Sequence, residues 1–90
     1  MEFDNVFEVV YNVCPSKGSY GAKIRVGMTS VFLEALRRKA KIKSQAGTAV
    51  VKFEYNGVEG LFIAPDIVIV EMGSGKTLED AKKLLAELVS

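Results

Sequence analysis

Apolar residues along this 90-residue chain recur at two periods, and the points where one period gives way to the other divide it into strands and helices. Over residues 5–14, Phe7, Val9, Tyr11 and Val13 alternate with Glu8 and Asn12, the pattern of a half-buried strand that Pro15 ends. Residues 16–21, rich in Gly and Ser, read as a hairpin loop. The loop leads into a second strand over 22–28, where Ile24, Val26 and Met28 alternate with Lys23, Arg25 and Gly27, and the two strands are expected to pair antiparallel. The period then lengthens. Thr29 or Ser30 offers a hydroxyl cap, and over about 30–41 Phe32, Leu33, Leu36 and Ala40 share one helical face opposite Glu34, Arg37, Arg38 and Lys41. Residues 45–47 form a break.

Alternation returns over 48–55, with Val51, Phe53 and Tyr55 set against Lys52 and Glu54. Asn56-Gly57 predicts a type I′ turn into a strand over 58–64, and Pro65-Asp66 turns the chain into another over 67–72. After Gly73-Ser74-Gly75-Lys76, Thr77 and Asp80 have the spacing of a capping box. The helix they open carries Leu78, Ala81, Leu85, Leu88 and Val89 on one face and Glu79, Lys82, Lys83 and Glu87 on the other. The order β-β-α-β-β-β-α predicts a single α+β domain over residues 1–90, an antiparallel sheet of about five strands with two helices packed on one face.

Two of these strands are apolar at consecutive positions, Leu61-Phe62-Ile63 and Ile67-Val68-Ile69-Val70. Both of their faces therefore carry hydrophobic side chains, while helices cover one face only. The uncovered face, with Val50, Leu61, Ile63, Ile67 and Ile69 as candidate members, predicts a protein partner or, more simply, a homodimer. Which of the alternating residues turn outward stays open, because a one-residue change of register reverses the assignment.

Composition supports one folded domain: 49% of residues are hydrophobic and 26% are charged, ample for a core without disulfides or metal. The start of the chain is acidic and lacks a secretory signal pattern, and no segment approaches the roughly 18 uninterrupted apolar residues of a membrane span. Together with a single cysteine, Cys14, these features predict a soluble, cytoplasmic protein with no membrane association.

Charge adds a candidate site. Nine basic residues against Glu34 give positions 17–52 a net +8, whereas residues 1–16 carry −3 and residues 53–90 carry −4, for +1 overall. Arg37, Arg38, Lys39, Lys41 and Lys43 concentrate this charge at the first helix end. Lys23, Arg25, Lys52 and Lys76 extend the field if they lie nearby, making a surface for successive phosphates of a nucleic acid. The alternative for the same residues is a solvated helix end whose cations suit the macrodipole.

Chemistry of other kinds finds little support. Gly75-Lys76-Thr77 resembles the end of a phosphate-binding loop, but Val70 stands where the first glycine of that motif belongs, and too little chain follows for the remaining strands of a nucleotide hydrolase. Cys14 has no histidine anywhere in the chain to activate it, and neither zinc-type nor calcium-loop spacing occurs. The sequence is read as a non-enzymatic binding protein, with no catalytic residues, no metal and no cofactor.

From about residue 29 to residue 89 the order α-β-β-β-α resembles the double-stranded RNA-binding domain. The local match is Gly73-Ser74-Gly75-Lys76-Thr77-Leu78-Glu79-Asp80-Ala81-Lys82-Lys83, similar to that family's glycine-rich entry into its second helix. The resemblance implies duplex RNA as a partner. Two departures bear on it: the family's consecutive phosphate-facing lysines are replaced by Leu78 and Glu79, and its histidine-containing loop is replaced by the tight turn at Asn56-Gly57. Two readings result, RNA or DNA backbone binding through the basic residues, and protein interaction or assembly through the open sheet face.

Overall fold

Alternating apolar residues need a covered face, and here six strands share one. A computed structural model describes residues 2–47 and 49–90. The chain runs α1 (Phe3–Val6), β1 (Phe7–Cys14), a 3₁₀ turn (Pro15–Lys17), β2 (Ser19–Ile24), α2 (Thr29–Lys39), β3 (Lys41–Ala46), β4 (Val50–Tyr55), β5 (Val58–Ile63), β6 (Ile67–Glu71) and α3 (Leu78–Val89). The strands form one antiparallel sheet in the order β1-β2-β6-β5-β4-β3. The α+β class agrees with the sequence reading. The count and order do not, because about five strands and two helices were expected and β3 and α1 are additional.

Strand β3 replaces the last turn of the expected helix and the break behind it. Helix α2 stops at Lys39, two residues short of the expected end, and the chain extends at Ala40. Every residue of β3 is exposed, so the strand has no burial pattern for its sequence to display, and it is held through its pairing with β4. The expected start of the following strand, Thr48, lies outside the described residues.

The first hairpin departs in register. A bulge between Phe7 and Val9 places an extra residue, Glu8, in β1 and reverses the alternation that follows. Phe7 and Val10 are therefore buried against the helices, while Val9 and Tyr11 turn to the opposite face, instead of all the odd-numbered residues sharing one side. Strand β2 buries Tyr20, Ala22 and Ile24 and starts three residues earlier than expected. It ends at Ile24 because the chain turns there: Met28 N–H donates to Arg25 C=O, Gly27 adopts φ +86°, and Val26 projects into solvent, 96% exposed.

The remaining signals have the local structures their residues predict. Asn56 and Gly57 both take positive φ, 53° and 77°, as a type I′ turn requires, and join β4 to β5 without a bulge. Thr77 and Asp80 form the capping box reciprocally: Asp80 N–H donates to Thr77 Oγ1 at 3.3 Å and Thr77 N–H to Asp80 Oδ2 at 2.9 Å. Helix α2 has no such box. Met28 occupies its cap position, and the Thr29 hydroxyl donates instead to the Pro65 carbonyl at 2.8 Å, tying the helix start to the β5–β6 turn.

All three helices lie on one side of the sheet, and the core between the layers is apolar throughout. Val10, Tyr20, Ile24, Val51, Phe53, Phe62, Val68 and Val70 meet Phe32, Ala35 and Leu36 of α2 and Ala81, Leu85 and Leu88 of α3, with no polar side chain buried among the described residues. The Tyr20 hydroxyl escapes burial without a partner by donating to the Lys76 carbonyl at 2.6 Å.

The capping box carries a testable consequence. Replacing Thr77 by Ala removes the oxygen that accepts from Asp80 N–H and is expected to cost about 1 kcal/mol of stability, read from the midpoint of chemical denaturation at unchanged slope.

Candidate functional site

The positive segment of the sequence does not gather on one surface. Arg37, Arg38 and Lys39 close α2 on the helical side, whereas Lys41 opposes Glu54 in the register of β3 and β4 and lies on the other side of the sheet. Lys43, Lys52 and Lys23 share that second side. Lys43 and Lys52 come together around Glu59, at 3.1 and 4.0 Å, and Lys43 also reaches Glu54 at 3.5 Å. Lys23, at the far end of the sheet, pairs with Glu8 at 3.9 Å.

Several of the cations serve local structure. Arg37 pairs with Glu34 one turn back at 3.2 Å. Lys39 Nζ donates to the Glu87 carbonyl at 2.8 Å and to Ser90 Oγ at 3.0 Å, where it satisfies the C-terminus of α3. Arg25 Nε donates to the Asp4 carbonyl at 2.6 Å and braces α1. Lys76 stands in the turn before α3, remote in the chain from the α2 end. Among the described residues Arg38, Lys41 and Lys76 make no ion pair with an acidic side chain.

The side of the sheet away from the helices carries the more continuous feature. Register places its residues in three rows running across the strands. One row holds Val9, Lys23, Ile67, Ile63, Val50 and Ala46; the next holds Tyr11, Gly21, Ile69, Leu61, Lys52 and Ser44; the third holds Glu71, Glu59, Glu54 and Lys41. The five residues expected from sequence, Val50, Leu61, Ile63, Ile67 and Ile69, all fall on this face and each is partly exposed. Val9 and Tyr11, 46% and 36% exposed, extend the apolar area across β2. Sequence periodicity missed both because the bulge at Glu8 sends them there. Tyr11 reaches this position because Gly21 beneath it has no side chain; a Cβ on Gly21 would collide with the Tyr11 ring.

Where the apolar rows meet the acidic row, Lys52, Glu59, Gly60, Leu61, Ile69 and Glu71 line an open depression of about 260 Å³. Glu59 and Glu71 sit directly opposite each other on β5 and β6, an unfavourable like-charge pair that Lys43 and Lys52 offset from the Glu59 side. The Lys43 hydrogen bond and charge, followed by the charge of Lys52, hold the Glu59 carboxyl below its ordinary value of 4.5. The same Glu59 contact, with Glu54 second, raises the Lys43 ammonium above its ordinary 10.5. The arrangement presents an apolar floor bordered by balanced charges. No group of three or more His, Cys, Asp or Glu side chains among the described residues is arranged to hold a metal.

Comparison with protein-family models, curated proteins and solved structures finds no match to this chain. Between α2 and α3 the sheet supplies four strands, one more than the three of the double-stranded RNA-binding order. Also among the described residues, no helix is long and apolar enough to cross a membrane.

The charge cluster gives a pH prediction with a definite sign. Because the folded protein lowers the Glu59 pKa, the contribution of this carboxylate to stability is present above its ordinary value and is lost as pH falls through the folded one. Because Lys43 is raised, its contribution is lost only as pH rises through its own folded value. An NMR titration is expected to place the Glu59 midpoint below 4.5, and Lys43→Met to move it back toward that value, leaving a smaller depression from Lys52.

Proposed function

We propose that this chain is a protein-interaction or assembly module whose binding surface is the open face of its sheet. The observation that carries the reading is the contiguity of Ile67, Ile69, Leu61, Ile63 and Val50 across three neighbouring strands, with no helix among the described residues over them. A soluble domain rarely leaves a contiguous apolar area uncovered unless another molecule covers it. The bordering lysines and glutamates give such a surface a polar rim and leave its centre apolar, the usual division of labour in a protein interface.

Nucleic-acid backbone binding stands as the second reading, favoured by one observation: Arg38 and Lys41, near the junction of α2 and β3, are charged, exposed and free of ion pairs among the described residues. It draws on fewer cations than the sequence charge implies, because Lys39, Lys43 and Lys52 are engaged within the fold. Backbone binding of this kind is salt-dependent and insensitive to nucleotide sequence.

Light scattering and binding of an apolar fluorescent dye, run on the same sample, test the first reading. The wild type is expected either to associate above the mass of one chain or to bind the dye, and Ile69→Lys to lose that property. A chain that is both monomeric and silent to the dye overturns the reading. Mobility shifts with RNA and DNA duplexes at low salt test the second. It requires binding that Arg37→Glu combined with Arg38→Glu abolishes, and a shift that ignores those substitutions, or none at all, removes it.

A further inference from the structure

We infer that the occupant of the open sheet face is a second copy of this chain, packed sheet against sheet. The inference rests on the reading of that face as an interaction surface and adds the identity of the partner. Charge provides the first argument. The four lysines of the face, Lys23, Lys41, Lys43 and Lys52, are matched by four glutamates, Glu8, Glu54, Glu59 and Glu71. A surface selected for a nucleic acid, or for a strongly acidic or basic peptide, carries one sign in excess. A balanced surface meets the same balance on a copy of itself, as the self-complementary interface of a two-fold dimer requires.

Size provides the second argument. The two longer Cα extents of the molecule, 31 and 26 Å, bound a rectangle of about 800 Å², comparable to the area that one partner contributes to an interface of standard size. A copy of the same dimensions covers such a face from edge to edge.

The edges provide the third, because they decide between stacking and sheet extension. An unpaired edge strand invites another chain to add to the sheet, and bulges and lysines oppose this. Strand β1 is interrupted by register shifts between Phe7 and Val9 and between Asn12 and Cys14, and β3 by one between Ile42 and Ser44 that contains Lys43, with Lys41 close before it. The open face has no such protection over Leu61 and Ile69. Stacked sheets lie about 10 Å apart with strand directions within about 30°, a spacing at which side chains of both layers interdigitate.

Sedimentation equilibrium of the full chain over a dilution series tests the inference. The expected mass is twice the 9.8 kDa of one chain, falling to a single chain in Ile69→Lys and in Leu61→Asp while far-ultraviolet dichroism is retained. Val26→Ser, at an exposed position in the β2–α2 turn, is expected to leave the mass unchanged. Isotope-filtered NMR on a mixture of labelled and unlabelled wild type reads the same interface without a variant, as intermolecular contacts among the Ile67, Ile69 and Leu61 methyl groups. A wild type with the mass of one chain at every concentration overturns the inference, as does a dimer that survives both substitutions or lacks those methyl contacts. The apolar dye separates the two failures: a monomer that binds it and loses it in Ile69→Lys has an interaction face with a different occupant, whereas a monomer silent to the dye has none.

Discussion

The placement of the Phe32 ring governs the rest of this molecule. Phe32 is fully buried, and its ring lies 5.7 Å from Phe7 of β1, 6.3 Å from Phe53 of β4 and 6.0 Å from Phe62 of β5. One side chain from α2 thus bridges edge strand β1 to β5 and β4 in the other half of the sheet order, with edge-to-face geometry toward Phe7 and Phe53 that adds to the area burial of each ring. Holding α2 there, with α3 packed beside it, concentrates the helical layer on one face. The consequences follow from area alone. Strand β3, at the margin of that layer, stays exposed along its length, and among the described residues nothing lies over the apolar residues on the reverse face of β4, β5 and β6.

Charge segregation along a chain becomes charge segregation in space only if the fold keeps the segments apart. Here it interleaves them. The β4–β5 hairpin brings Glu59, from the acidic C-terminal half, beside Lys52 from the basic middle, and β3 adds Lys43 to the same carboxylate. Such half-exposed pairs contribute little to stability. Their effect lies in the surface they leave behind, since they cancel much of the field that nine cations in 36 consecutive residues would otherwise project. The net +8 of residues 17–52 therefore does not stand on one surface as a single positive field.

What the sequence made legible follows from how each signal is encoded. The capping box of α3 and the Asn56-Gly57 turn are local chemistry, complete within a few residues, and both stand where they were read. The apolar runs in β5 and β6 identified the members of the open face, because a strand apolar on both sides needs two covers regardless of register. Strand β3 was illegible for the converse reason: exposed along its whole length, it has no face to bury and hence no period. The alternation at Val26 continues the strand pattern in the sequence, but β2 ends at Ile24 and Gly27, with positive φ, turns the chain away. The candidate site was therefore half readable, its central strands directly and its β1 flank not at all.

That β1 flank shows how one local irregularity serves both the edge and the face of the sheet. The extra residue at Glu8 breaks the regular pairing of β1, which makes this edge a poorer template for another strand. It also reverses the alternation, so Phe7 enters the core against Phe32 while Val9 and Tyr11 join the open face. Regular pairing carried through Glu8 would have kept Phe7, Val9 and Tyr11 on one side and confined the apolar area to β4, β5 and β6. With the bulge, the apolar area extends past β2 to the sheet margin, and Gly21 leaves Tyr11 room to lie across it. The same insertion that discourages association through the edge enlarges the surface available for association through the face.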